Sequence, residues 1–503
     1  LRAMLEKQGC VFVSQTDTEV VAHLLCTLYH GDMADALRRA SAMLEGSWAL
    51  CVLCRDAPDT LWVTRKDSPL ILGLGDGEQF AASDIPAIIA YTRDMALLED
   101  KEIAVLTPAA AHVYDALGHE RPLKPFRVDW DVASAEKGGW PHFMIKEIHE
   151  EPDALRRTFS AHVDSKTMTL RDSAFPLSAG EVKGLNRLTI VACGTAYHAG
   201  VVGKYVIEKL ARLPVDVEVA SEFRYRSPLL GQGDLFLAVS QSGETADTLA
   251  ALREARRLGA HVMALTNVVG SSIAREVGSD AVYTWAGPEI AVASTKAYIT
   301  QVEMMLLLAV RLATLRGVMT AEASRALLTA MAELPDQAEE VLKLETDVKR
   351  FASRFCDQKH VFYIGRGLDS ALAMEASLKL KAVSYLFSET YSSRELKHGT
   401  IALIEQDTLV CTLLTQKELA EKTLSNVREV KSRGARTLII CPESLCEQAR
   451  GDADELWLLP NAPDELLPIL SVIPVQLLAY AMSVHRRCDV DKPRNLAQSV
   501  TVE

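Results

Sequence analysis

From Leu188 onward the chain alternates short apolar runs with longer amphipathic stretches, and each run ends in a Gly- or Ser-rich turn. Leu188-Thr-Ile-Val-Ala-Cys is such a run. Its length and bounding turn favour a buried strand, followed by a helix from about Tyr197 to Leu210. Val215–Val219, Leu235–Ser240 and His261–Thr266 read as further strands, with a helix running from the Gln241 turn through Ala255. Strand–loop–helix units in series predict a doubly wound parallel sheet of the α/β class. The pattern then recurs in His360-Val-Phe-Tyr-Ile-Gly, Asp407–Thr415 and Ala435–Cys441, at nearly equal spacings. Two tandem domains of one fold are expected, at 182–321 and 353–493.

The first 130 residues follow a different grammar. Helices are expected at Thr18–Tyr29 and Met33–Leu44, and short strands at Ala49–Cys54 and Glu102–Leu106, an α+β pattern. Residues 131–165 are polar and poorly periodic, with Lys137-Gly-Gly-Trp and Glu151-Pro, and read as a linker. Residues 494–503 form a C-terminal tail. The chain opens mid-element, with an amphipathic helix end closing at Gly9 and no initiator Met, so a fragment of a longer protein is expected.

Composition narrows the function. With 503 residues, 49% hydrophobic and 24% charged, the chain has the make-up of a globular protein of about three domains. A net charge of -13 without any Lys/Arg run argues against a nucleic-acid partner. The ten cysteines are scattered, which suits reduced thiols and a cytoplasmic location. Cys51-Val-Leu-Cys54 has redox spacing but lies in an apolar run with no second pair, so a buried strand is the expectation. Leu466–Val484 carries no charge, yet it contains two prolines and reads as a core helix rather than a membrane span. No dinucleotide-type glycine motif and no cluster of His/Cys ligands is present, so neither cofactor nor metal is expected.

The chemistry concentrates in Ser240-Gln-Ser-Gly-Glu-Thr-Ala-Asp-Thr248. Its hydroxyls and backbone N–H groups fall between a parallel strand and a helix, where α/β proteins bind ligands and the helix dipole attracts anions. Ser240, Gln241, Ser242 and Thr245 supply four polar donors in six residues, more than an N-cap requires. They predict a phosphate cradle. Cys193-Gly194-Thr195-Ala196 occupies the same kind of strand end, which suggests a sugar phosphate held between two loops. Ser294, in Ala291-Val-Ala-Ser-Thr-Lys-Ala, stands at another helix start, either as ligand or as cap.

Ala192-Cys-Gly-Thr, Ser221-Glu-Phe-Arg-Tyr-Arg226, the Ser240 loop, Val292-Ala-Ser-Thr-Lys-Ala, Glu395-Leu-Lys-His-Gly and Pro493-Arg-Asn-Leu-Ala-Gln-Ser-Val-Thr-Val-Glu503 together resemble the isomerising glutamine–fructose-6-phosphate aminotransferase family. The resemblance covers essentially the whole chain. It implies two sugar isomerase (SIS) domains behind the C-terminal part of a glutaminase domain. It also implies conversion of fructose 6-phosphate and glutamine to glucosamine 6-phosphate by a homodimer.

By that resemblance, Cys193, Gly194, Thr195, Ser240, Gln241, Ser242 and Thr245 hold the phosphate end. Val292 and Ser294 touch sugar hydroxyls, and Asp17 in Phe12-Val-Ser-Gln-Thr-Asp-Thr-Glu binds the glutamine amino group. His398 is the ring-opening acid/base, contributed from the neighbouring subunit; its near-neutral pKa suits the task. Lys379 is an active-site lysine, and Glu375, one helical turn earlier, is its expected partner.

Three departures stand out. The family's N-terminal cysteine nucleophile is not in the chain, and Cys10 and Cys26 sit in other motifs, so no glutaminase activity is expected. Gln498 occupies the position of the lysine that forms a Schiff base, and Ala382 that of a proton-transferring glutamate. Ala196 also replaces a phosphate-binding serine, and Ser393-Arg394 an Ala-Gly pair. A catalytically reduced paralogue that binds hexose phosphate is therefore the alternative to an active aminotransferase.

Overall fold

A computed structural model describes residues 1–83, 85, 87–128 and 136–498. The fold divides into two units, one running to residue 136 and the other beginning at Lys137.

In the first unit the expected helices form at Thr18–Leu28 and Met33–Met43. They cover an antiparallel sheet ordered Trp48–Cys54, Ala57–Lys66, Ile103–Leu106, Ala111–Tyr114, Glu120–Arg121. A second antiparallel sheet holds Gln79–Ala82, Ile71–Leu74, Asp94–Leu97 and Phe126–Arg127. Alternation along one strand separates two cores, because successive side chains point to opposite faces. Trp62 packs under Leu24, Leu37 and Ala40 of the helices, and Val63 packs with Leu72 and Ala96 of the second sheet. The Cys51–Cys54 run is not the buried strand expected. Trp48–Cys54 lies at the sheet edge, Cys51 is exposed and Leu53 is 75% exposed, so only alternate residues reach the core.

The second unit carries the repeat. One parallel sheet is ordered Val215–Val219, Arg187–Ala192, Asp234–Ser240, His261–Thr266, Ala281–Tyr283. The other is ordered Phe387–Ser392, His360–Gly365, Leu409–Leu413, Arg436–Pro442, Glu455–Leu459. The same order, second-first-third-fourth-fifth, puts a switch point in each sheet between its first and third strands. Asp234–Ser240 and Leu409–Leu413 are buried at every residue, as strands covered on both faces must be.

The segment read as a linker is a correction. Phe143–His149 and Glu151–His162 are helices whose Met144, Ile145, Ile148, Leu155 and Phe159 join the main core. Their charged residues misled the sequence reading because several are themselves buried: Lys146, Glu147 and Glu151. Residues 131–135 of the expected linker, the two residues before them, and 499–503, the end of the expected tail, lie outside the described residues. Among the described residues, two helices are long and apolar enough to cross a membrane, Lys296–Leu315 and Leu467–His485; both are largely buried within this unit.

Candidate functional site

The first sheet's switch point opens between Ala192 and Val239, paired neighbours at the carboxyl ends of their strands. Two helices start there, Gly194–Ala211 and Ala246–Arg257. Neither has a side-chain cap: Cys193 and Thr245 occupy the N-cap positions, and their side chains accept no helix N–H. The orphan N–H groups and positive dipole ends of both helices therefore face the crevice, an arrangement that favours an anion. Cys193 Sγ lies 3.9 Å from Thr248 Oγ1, tying the first loop to the helix that follows the second, and burial pushes the Cys193 thiol above its ordinary range.

The Ser240 loop is rigidly built. Ser240 Oγ accepts the Gly243 N–H at 3.0 Å and shares a hydrogen bond with Thr245 Oγ1 at 3.0 Å. One proton bridges these two hydroxyls, which leaves the pair one to donate outward. Ser242 Oγ accepts the Glu244 N–H at 3.2 Å, and the Gln241 carbonyl accepts the Asn267 N–H at 3.1 Å. Gly243, at φ +67°, is required: a Cβ there would stand 2.0 Å from Ser271 Oγ. Gly194 also has positive φ, but nothing lies within 4 Å of where its Cβ would be. One glycine permits a tight turn; the other keeps the crevice open.

The Val292–Thr295 segment is clamped by carboxyl-bearing residues. Glu147 Oε1 accepts the N–H groups of Ile290 and Ala291 at 2.6 and 3.2 Å. Glu289 Oε1 accepts those of Thr295 and Ala297 at 2.8 and 3.0 Å and so caps the helix Lys296–Leu315. The Val292 N–H donates to the Asp491 carbonyl at 3.0 Å, so only its own carbonyl remains to meet a ligand. Burial, with the neighbouring Glu289 charge, pushes the Glu147 carboxyl up to about 8.

Glu375 and Lys379, expected as a helical pair, face the same segment from Leu368–Ser384. Lys379 Nζ stands 3.1 Å from Glu375 Oε1 and donates to the Ser294 carbonyl. Both side chains are sealed from solvent, whereas Lys381 is exposed. Thr195 Oγ1 donates to Glu375 Oε1 at 3.1 Å. Its one hydroxyl proton is thus committed, and its contribution to an anion falls to the backbone N–H.

Other expected residues stand apart. His398 is exposed on the turn Glu395–His398, and the fold brings no site residue against it among the described residues. Asp17 lies in the first unit, exposed at the N-cap of Thr18–Leu28. Sequence reasoning missed His198, 2.8 Å from Glu375, as well as Glu147 and Glu289. A titratable residue one turn after the glycine loop was the available signal for His198.

Two tandem doubly wound sheets make up this unit, and the SIS domain family matches residues 183–311 and 354–486. Over its full length the chain is 52% identical to a glutamine–fructose-6-phosphate aminotransferase [isomerizing] of Symbiobacterium thermophilum and 50% identical to that of Caldanaerobacter subterraneus. It spans 82% of each of those relatives. The chain belongs to the glutamine–fructose-6-phosphate aminotransferase [isomerizing] family. Among solved structures, the C-terminal domain of glucosamine-fructose-6-phosphate aminotransferase from Francisella tularensis matches 71% of the chain and all of its own length, with 37% identity and a TM-score of 0.68. A glucosamine-6-phosphate deaminase of Thermotoga maritima, 22% identical with a TM-score of 0.55, shares the fold.

Proposed function

We propose that the crevice between Gly194 and the Ser240 loop binds the phosphate of fructose 6-phosphate or a related hexose phosphate. On this reading the chain serves the sugar half of glucosamine 6-phosphate synthesis, and glutamine is the partner of the first unit, near Asp17. The observation that carries it is the pair of uncapped helix N-termini converging on a loop of hydroxyls, which suits a dianion without a lysine. Ser240, Gln241, Ser242 and Thr245 hold the phosphate, with Cys193, Gly194 and the Thr195 N–H from the facing loop. Val292 and Ser294 meet sugar hydroxyls, and Lys379 with Glu375 orders that segment. A cytoplasmic homodimer sharing His398 completes the proposal. Calorimetric titration with fructose 6-phosphate tests it: Ser242→Ala should weaken binding by about 1–3 kcal/mol through loss of a donor to a charged group. Unchanged affinity would remove the loop from the site.

A second reading, a hexose-phosphate-binding paralogue with reduced chemistry, is favoured by Gln498. Its side-chain nitrogen donates to the Glu289 carbonyl, and an amide nitrogen is no nucleophile because its lone pair is delocalised.

A further inference from the structure

Glu375 has no solvent exposure, yet side chains from three separate positions reach its two oxygens. Thr195 Oγ1 and Lys379 Nζ share Oε1 at 3.1 Å each, and His198 Nδ1 alone serves Oε2, at 2.8 Å. Lys379 continues the chain of contacts to the Ser294 carbonyl. His198, on the first helix of one SIS domain, is thereby linked through the second domain's helix to the loop proposed to meet the sugar.

Burial pushes the Glu375 carboxyl up, but the Lys379 ammonium and the His198 hydrogen bond outweigh it and leave the group below the usual carboxylate range. An ionised carboxylate only accepts, so the hydrogen of the His198 contact sits on Nδ1. Lys379 lies on the same helix as Glu375 and meets only Oε1. Without His198, Oε2 would be a buried charged oxygen with no donor, a costly state that the side chain escapes by turning. Turning carries Oε1 away from both Thr195 and Lys379.

The rest of the imidazole is not packed into a core. It borders a cavity of about 370 Å³ with Tyr197, Met374, Ser377 and Lys381.

We propose that His198 is a positioning residue for the hexose-phosphate site, holding Glu375 so that Lys379 and the Ser294 segment stay in place; this rests on the function proposed above. His198→Asn keeps an N–H close to the Nδ1 position, His198→Gln moves its amide out to the Nε2 position, and His198→Ala removes the donor.

In the full chain, two readouts decide. Acylation of Lys379, followed by mass spectrometry without ligand, should find it protected in the parent and in His198→Asn, and labelled in His198→Gln and His198→Ala. Fructose 6-phosphate affinity should fall about tenfold in the Gln and Ala variants, the equivalent of about 1.4 kcal/mol, and stay within about threefold in the Asn variant. If His198→Ala destabilises the fold, the similarly sized Gln variant carries the comparison. Protection of Lys379 in every variant, or an Asn variant as impaired as the Gln variant, would overturn the proposal. So would labelling that changes while affinity does not. If the parent itself binds no fructose 6-phosphate, the phosphate site falls, and Lys379 labelling still decides whether His198 holds Glu375.

Discussion

The side-chain amide of Gln498 donates to the main-chain carbonyl of Glu289, 209 residues earlier in the chain. The contact ties the start of the C-terminal tail to the segment that Glu147, Glu289 and Asp491 clamp. By the family resemblance this is where a lysine would capture the open-chain ketose. Ala382, three residues after Lys379 and seven after Glu375 and so on their side of the helix, stands where the proton-transferring glutamate is expected.

Isomerisation between fructose and glucose 6-phosphates should therefore be near background. Gln498→Lys or Ala382→Glu alone should help little, because covalent capture and proton transfer act as a unit. The double variant should exceed the sum of the singles, and borohydride with fructose 6-phosphate should label the new lysine there and nothing in the parent. A labelled parent would show that another lysine has taken over, Lys379 or Lys397 first.

Gly243 and Gly194 should respond differently to alanine. At Gly243 the new Cβ meets Ser271 Oγ at 2.0 Å and Thr266 Oγ1 at 2.8 Å. Gly243→Ala should cost about 1–3 kcal/mol of stability and lose hexose phosphate binding together. At Gly194 the Cβ meets nothing, so Gly194→Ala should cost only about 1 kcal/mol through its positive φ. It should weaken binding nonetheless, because the methyl enters the crevice. Thermal melts and titrations on both variants check the contrast.

Glu375→Leu alone leaves the Lys379 ammonium buried without its counter-ion and should destabilise by about 3–5 kcal/mol. Adding Lys379→Met should recover a large part of that loss, since an apolar pair of similar volume avoids desolvating two charges. Urea unfolding of the singles and the double measures the coupling. Additive losses would mean the two groups do not act as a pair.

The Glu147 carboxyl, raised by burial and by Glu289 to about 8 from an ordinary 4.5, makes stability fall with rising pH. The fold keeps a proton that the unfolded chain releases, so its contribution is full below pH 4.5 and is lost as pH climbs to about 8. Within that window the slope from this one group is about 1.4 kcal/mol per pH unit. Glu147→Gln retains an oxygen to accept from Ile290 and Ala291 and should flatten the slope by about one proton in denaturant titrations. An unchanged slope would place the titration elsewhere.

The strand–loop–helix repeat was legible because its central strands are buried on both faces. Burial at every residue of Asp234–Ser240 writes itself into the sequence as the unbroken apolar run Leu235–Val239. The Ser240 loop was legible as a turn for a related reason, since a polar, glycine-bearing stretch interrupts the apolar run before it and the amphipathic one after it. Helical spacing proposed the Glu375–Lys379 pair, and the two side chains meet at 3.1 Å.

Where polarity and burial part company, the sequence misled. Helices Phe143–His149 and Glu151–His162 carry Glu147 and Glu151 into the interior, so a stretch with the composition of a linker became core. The apolar Cys51–Cys54 run ended at a sheet edge, half in solvent, because which strand lies outermost is decided by pairing partners rather than by its own residues. Local pattern determined the elements, their repeat and the polar turn after Ser240. Tertiary structure alone decided that Thr195 gives its proton to Glu375, that His198 holds the same carboxylate, and that Gln498 meets Glu289. Those contacts join residues 177 to 209 positions apart, and no helical or strand period reaches that far.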